Sequence, residues 1–331
     1  MELNRPDRMD PIDQQILGLI EATATAKWVS VMVCASQPMP QQTHTLRELI
    51  ERDHILLAPG VADAMEAKIA VQQGAEAIYI SGNSISSSIH GNPDIGLTSF
   101  KETLERARTI TGAVDVPVIC DVDNGYGNAL NVIRTVNEFE RAKVDGIQIE
   151  DQTWPKKCGH LDGKELISTE TMCAKIRAAV NTRESDDFIV VARTDAIAAD
   201  GIGEAIDRAK TYAEHGADLV FVDAPESVAQ LERIGDELRE VPMLTNIPYG
   251  GETPLQSASE LEKIGFDVMV FACVAQKAKI KVLEEVFSTL LETGDEREVA
   301  DRLGDWRDRE RVTELDWWTN LEEQYVELEG E

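Results

Sequence analysis

The sequence predicts an α/β protein built on a (β/α)8 barrel of the TIM type, and three observations carry that reading. Eight short runs rich in Val and Ile, at 55–59, 77–81, 117–123, 146–151, 188–195, 218–224, 242–247 and 267–273, have the length and near-continuous hydrophobicity of strands buried on both faces. Amphipathic, helix-like stretches lie between them, at 62–73, 99–111, 129–143, 168–181, 202–215, 227–240 and 257–264. Strands alternating with helices make a parallel sheet, and eight of them close a barrel. No glycine-rich fingerprint follows the first run, which disfavours the dinucleotide-binding form of the rival open sheet.

The elements follow in order. Residues 1–50 read as a helical or irregular N-terminal extension, 51–290 as the barrel, and 291–331 as a C-terminal helical segment with no further strand. Gly74 and Gly216 each stand between a helix and the next strand, where a glycine ends a helix most easily. Near the C-terminus, Trp318, Leu321 and Tyr325 share one helical face with Leu315 beside them. Large apolar residues there mark burial, either against the same barrel or against a neighbouring subunit.

Composition excludes several functions. With 61 acids against 32 bases, the 331-residue chain carries a formal charge of −29. Nucleic-acid binding and docking on anionic membranes need the opposite sign. The acids are spread along the whole chain, which suggests a high-salt cytoplasm that screens their repulsion. Five cysteines without paired spacing fit a reducing compartment rather than a disulfide framework. The N-terminus lacks the pattern of a signal peptide, and no apolar stretch is long enough to span a bilayer. A cytoplasmic location is expected.

In a barrel the chemistry gathers at the C-terminal ends of the strands. Those ends carry Tyr79 to Asn83, Asp121 to Gly127, Glu150 to Gln152, Arg193 to Asp195, Asp223 and Asn246. Asp121 and Asp123 are two apart, so on a strand both side chains point one way, and Glu150 adds a third carboxylate. Clustered carboxylates repel unless a cation sits among them, and hard oxygen ligands with room for water suit Mg²⁺, with Mn²⁺ as the alternative. A lone Asp-x-Asp would instead read as carboxylates paired with Lys or Arg. With Glu150, Arg193 and the barrel mouth together, the metal is the preferred reading.

The run Pro155-Lys156-Lys157-Cys158-Gly159-His160 follows the fourth strand. A thiol among two lysines and a histidine lies in positive potential and is poised for proton transfer. Cys34, Cys120, Cys173 and Cys273 lack such neighbours and read as small buried hydrophobes.

These blocks, with Asn92-Pro93-Asp94 and Ala192-Arg193-Thr194-Asp195, resemble the isocitrate lyase/phosphoenolpyruvate mutase superfamily over roughly residues 50–290. Lys156-Lys157-Cys158-Gly159-His160 is similar to the lyase branch, isocitrate and methylisocitrate lyases. The resemblance implies that Asp121 binds Mg²⁺ most directly, with Asp123, Glu150 and Asp94 acting through water. Tyr79, Ser81, Gly82 and Asn83 would line the 2-oxo-acid end. Cys158 would protonate the departing carbanion, while Lys156, Gly159 and His160 shape a mobile loop. Arg193 would hold a carboxylate, and Asn246 would contact the succinate half. The expected assembly is a homotetramer whose C-terminal helices are exchanged between subunits.

The implied reaction is retro-aldol cleavage of a 2-hydroxy tricarboxylate. Isocitrate giving succinate plus glyoxylate, the glyoxylate-bypass reaction, comes first. The alternatives are 2-methylisocitrate giving succinate plus pyruvate, or a 2-oxo-acid decarboxylase. Three departures stand out. Asp223 replaces the family's usual Glu. The run Asn246-Ile247-Pro248-Tyr249-Gly250-Gly251 replaces the block that binds succinate in long isocitrate lyases, leaving Lys277 as a candidate contact. The chain is also short, and this compact layout, like Phe221, leans towards methylisocitrate lyase, while the Lys156-Lys157 form of the loop and Gly159-His160-Leu161-Asp162-Gly163-Lys164 lean back towards isocitrate lyase.

Overall fold

Each apolar run coincides with a strand in a computed structural model, the first strand running two residues past its run, and the structure describes residues 44–159, 163–251 and 253–329. The strands are β1 (Leu56–Val61), β2 (Ile78–Ile80), β3 (Val118–Asp121), β4 (Gly146–Glu150), β5 (Ile189–Thr194), β6 (Leu219–Val222), β7 (Leu244–Asn246) and β8 (Val268–Phe271). They form one eight-stranded sheet in the order β6-β5-β4-β3-β2-β1-β8-β7. The pairings between neighbours are parallel. A single parallel bridge, Val220 to Met243, brings β6 back to β7. The chain is therefore a nearly closed (β/α)8 barrel.

Alternation along each strand divides its side chains between two cores. Ala58, Tyr79, Ile119, Val191, Phe221 and Val270 belong to one cluster, which fills the barrel. Ile78, Ile80, Cys120, Ile147, Ile149 and Val190 belong to a second, shared with the surrounding helices. Burial on both faces is why these runs read as continuously apolar.

The helices in order are α1 (Leu46–Ile50), α2 (Ala64–Gln72), α3 (Gly82–His90), α4 (Phe100–Thr111), α5 (Ala129–Arg141), α6 (Thr169–Thr182), α7 (Ala196–Glu214), α8 (Val228–Glu237), α9 (Ala258–Ile264), α10 (Val274–Thr293), α11 (Trp306–Thr313) and α12 (Leu315–Glu329), with a 3₁₀ turn at Glu296–Arg302. Local chemistry sets their starts. Asp63, Ser81, Ser99, Asn128, Ser168 and Ser227 each accept a bond from a first-turn backbone N–H. Gly74 and Gly216 have φ of 95° and 102°, as helix-ending glycines should.

Three details differ from the expectation. The segment after β2 is helical, although Ser84 to Ser88 shows no helical periodicity; the Ser81 cap starts it and Gly91 ends it. Helix α7 begins at Ala196 and kinks at Gly201, so it is longer than the stretch 202–215. Of the extension expected over 1–50, residues 1–43 lie outside the described residues, while α1 belongs to the barrel. Leu46 and Leu49 are buried with Leu56, Ile189, Leu219 and Val268, at the starts of four strands, and so form its floor.

Past the barrel, α11 packs on α2 of the same chain, with Arg311 bonded to Gln72 and Glu314 to Lys68. Trp318 and Tyr325 on α12 remain exposed in the single chain, as do Ile280, Leu283 and Phe287 on α10. No helix among the described residues is long and apolar enough to cross a membrane.

Candidate active site

The strand ends converge on one cavity of about 230 Å³ at the C-terminal mouth. Tyr79, Ser81, Asn83, Asp94, Asp121, Cys158, Gly159, Arg193, Asp223, Asn246 and Lys277 all line it. Gly82, Asp123, Glu150 and Lys156 each adjoin a lining residue: Asp121 for the first two, Arg193 for Glu150 and Asp94 for Lys156. His160 lies outside the described residues.

The acids come together differently from the sequence expectation. Strand β3 ends at Asp121. Asp123 is left-handed, with φ of 50°, so a turn rather than strand alternation brings the pair together. Asp121 Oδ1 accepts the Asp123 N–H at 3.0 Å. A Cβ on Gly82 would stand 2.9 Å from Asp121 Oδ2 and 3.5 Å from Asp123 Oδ1, so glycine lets the start of α3 approach both.

Burial sets the electrostatics. It pushes the Asp123 carboxyl up to about 6, against the pull of the neighbouring Lys156. It drives Glu150 well above the usual carboxylate range, with Lys156 and Arg193 only partly offsetting it. Burial also disfavours the Lys156 ammonium, but Asp123, Glu150, Asp94 and Asp121 outweigh that and raise its pKa. Lys156 Nζ lies 2.6 Å from Asp94 and 2.8 Å from Asp123.

The site fits a hard cation on one observation above all. Both carboxylate oxygens of Glu150 are buried and have no hydrogen-bond partner among the described residues, with Arg193 Nε 3.6 Å away. Such atoms are costly unless something donates to them, as metal-bound water does. Among the described residues, no three His, Cys, Asp or Glu side chains converge closely enough to ligate one ion directly.

Parallel register places Glu150 of β4 beside Arg193 of β5. Arg193 makes a two-pronged contact with Asp195, at 3.0 and 2.8 Å, and reaches Asp223 at 2.6 Å. The shorter Asp223 thus still engages the guanidinium. A Cβ on Gly159 would overlap the Asp223 carboxylate, so the loop fills the space beside it.

Cys158 Sγ lies 3.7 Å from Asn83 Nδ2, on the same cavity as Asp121 and Arg193. Its loop is held by residues to which the sequence assigned no such role. Gln152 donates to Lys157 O at 2.9 Å and accepts the Lys157 N–H at 2.8 Å. Lys164 donates to the Gly159 carbonyl. An amide or an ammonium aimed at a loop backbone has no spacing signature, so neither was legible. Cys273, read as a small buried hydrophobe, instead lines the cavity with Gln276. Cys120 and Cys173 are buried as expected, and Cys34 lies outside the described residues.

Opposite Asn246, Lys277 Nζ bonds the Tyr249 carbonyl at 2.5 Å. The cavity therefore sets carboxylates, cations and a thiol around a space the size of a small polycarboxylate, flanked by Phe221 and Val270.

The chain matches the phosphoenolpyruvate phosphomutase family over residues 46–291, and it belongs to that family, within the PEP mutase/isocitrate lyase superfamily of enzymes. It is 42% identical over 245 residues to 2,3-dimethylmalate lyase of Eubacterium barkeri, covering 74% of this chain and 84% of that one. It is 42% identical over 269 residues to 2-methylisocitrate lyase of Aeropyrum pernix, covering 81% and 85%. The crystal structure of phosphonopyruvate hydrolase in complex with oxalate and Mg²⁺ superposes with a TM-score of 0.79 at 28% identity, over 86% of this chain and 99% of that one.

Proposed function

We propose that this enzyme is a Mg²⁺-dependent carbon–carbon lyase that cleaves 2-methylisocitrate to succinate and pyruvate. The observation that carries the reading is Cys158, a thiol on the same cavity wall as Asp121 and Arg193. The sequence alone put isocitrate first. Similarity to lyases of two methylated substrates reverses that order, and Phe221 and Val270 offer an apolar flank for the methyl group. One methyl is worth only about 1–3 kcal/mol in a pocket, so substrate trials decide between them.

Asp121 would hold the ion, with Asp123, Glu150 and Asp94 acting through its waters; Mn²⁺ is the alternative. When bound, the cation supplies chelation of the substrate hydroxyl and adjacent carboxylate, making the hydroxyl easier to deprotonate. The protein does the rest. Tyr79, Ser81, Gly82 and Asn83 shape the 2-oxo-acid end. Arg193 meets a carboxylate, and Asn246 and Lys277 face the succinate half. The hydroxyl proton leaves to solvent as its oxygen becomes the carbonyl of the 2-oxo acid, the electrons of the broken carbon–carbon bond pass to the carbon beside a carboxylate, and the Cys158 Sγ–H delivers its proton there. Lys156, Gly159 and His160 belong to the loop that carries the thiol.

We extend the reading to a homotetramer, supported by the uncovered apolar residues of α10 and α12, and to a cytoplasmic location.

Product analysis with Mg²⁺ tests the reading on 2-methylisocitrate, isocitrate and 2,3-dimethylmalate. Pyruvate and succinate from the first, at the highest kcat/KM, are expected. Cleavage of none of the three would overturn the assignment.

A further inference from the structure

Lys175 stands in the middle of α6, a position where a lysine would ordinarily face water. It is instead 3% exposed. Its Nζ donates to the carbonyl oxygen of Asn124 at 2.8 Å. Glu150 and Asp151 act on it through space, without an ion pair among the described residues, and burial pushes its pKa down to about 8. Burying an ammonium without a paired carboxylate is unfavourable, so a fold that keeps one there gains something from its single bond.

What that bond holds is the turn carrying the acids. Asp123, Gly125 and Tyr126 are all left-handed, with φ of 50°, 79° and 61°. Backbone of this kind persists only where its surroundings over-determine it. Three of its N–H groups are satisfied from within, Asp123 by the Asp121 carboxylate at 3.0 Å, Gly125 by the Val122 carbonyl at 2.9 Å and Tyr126 by the Asn124 side chain at 3.1 Å. Asn124 is 3% exposed, so its carbonyl is screened from solvent, and Lys175 is the donor that reaches it. The ammonium also places positive charge behind Glu150, on the helix side.

We infer that Lys175 is a positioning residue for the cation site: it clamps the turn 121–127 from the helix layer through the Asn124 carbonyl, so that Asp121 and Asp123 meet a divalent ion already in place. The inference rests on the reading of those acids as the cation's holders. It adds a residue that touches neither substrate nor metal.

The test is Mg²⁺ titration by calorimetry with oxalate present, on the full chain, for wild type, K175M and K175R. Thermal unfolding of each metal-free protein is measured in parallel. Removing a partner just outside a metal's ligands weakens affinity about 10–100-fold, and that loss is expected for K175M. K175R, which can still donate to the carbonyl, should recover affinity to within about threefold of wild type. If K175M lowers the melting temperature yet binds Mg²⁺ like wild type, the lysine is merely structural and the inference is wrong. K175Q, neutral and easier to bury, is judged by the same criterion if K175M does not fold. A wild type that binds Mg²⁺ but cleaves no substrate would overturn the proposed lyase and leave this inference standing.

Discussion

Asp223 accepts a hydrogen bond from Arg193 at 2.6 Å, and the same carboxylate occupies the space a Cβ on Gly159 would need. The cysteine loop and the guanidinium pair thus fit together only with glycine at 159. Gly159→Ala should displace the neighbouring thiol. A misplacement of about 1 Å costs on the order of 100-fold in turnover. Stability should also fall, by about 1–3 kcal/mol, because the added methyl crowds the buried Asp223 and Arg193 pair. Steady-state kinetics beside thermal unfolding checks both. Unchanged kcat would show that the loop does not work in the position described.

Cys158 faces the cavity within reach of Asn83. If it donates the proton to the leaving carbon, Cys158→Ser should lower kcat about 10²–10⁴-fold while leaving KM nearly unchanged. A decarboxylase on the same barrel would form a pyruvate enolate that solvent can protonate, and it would keep its turnover without the thiol. Rates of pyruvate release from 2-methylisocitrate and from oxaloacetate, compared in wild type and variant, separate the two chemistries.

Asp63 caps α2, accepting the Glu66 N–H at 2.9 Å, and pairs with Lys279 of α10 at 2.9 Å. Burial alone would raise its carboxyl, but the Glu66 N–H and Lys279 outweigh it and hold it below the usual 3.8. A carboxylate depressed by folding stabilises the fold above its unfolded pKa, and that contribution is lost as pH falls through the folded value. Asp63→Ala should therefore cost about 1 kcal/mol at pH 7, and the difference should shrink below pH 3.8. Urea unfolding of both proteins at pH 7 and about pH 3.5 reads it. A constant difference across that range would assign the loss to packing instead.

A chain of net charge −29 repels itself whenever salt does not screen it. The Debye length grows from about 3 Å at 1 M salt to about 30 Å at 0.01 M. The melting temperature should accordingly fall by several degrees over that dilution. A melting temperature independent of salt would remove the case for adaptation to a saline cytoplasm.

The barrel was legible because its strands are buried on both faces, so that Leu219, Val220, Phe221 and Val222 show as one apolar run although they alternate between the barrel interior and the helix layer. Helix α3 was not, since Ser84 to Ser88 carries no periodic apolar stripe and its start depends on one cap. The site was legible as residue types but not as geometry. Asp121 and Asp123 were grouped correctly for the wrong reason, because alternation along a strand and a left-handed turn leave the same spacing in sequence. Gln152 and Lys175 were missed because each acts on a backbone carbonyl, and backbone partners leave no trace in the order of side chains.

The lone bridge between Val220 and Met243 makes the junction of β6 and β7 the seam of the barrel. A cylinder with one thinly stitched side opens there first, so amide exchange should be fastest along Leu244–Asn246. Asn246 lies on this edge and lines the cavity, at the end where the proposed reaction would release its leaving fragment. A change in the size of that fragment can then be absorbed by a small hinge of one wall, while the acids on β3 and β4, stitched on both sides, stay where they are.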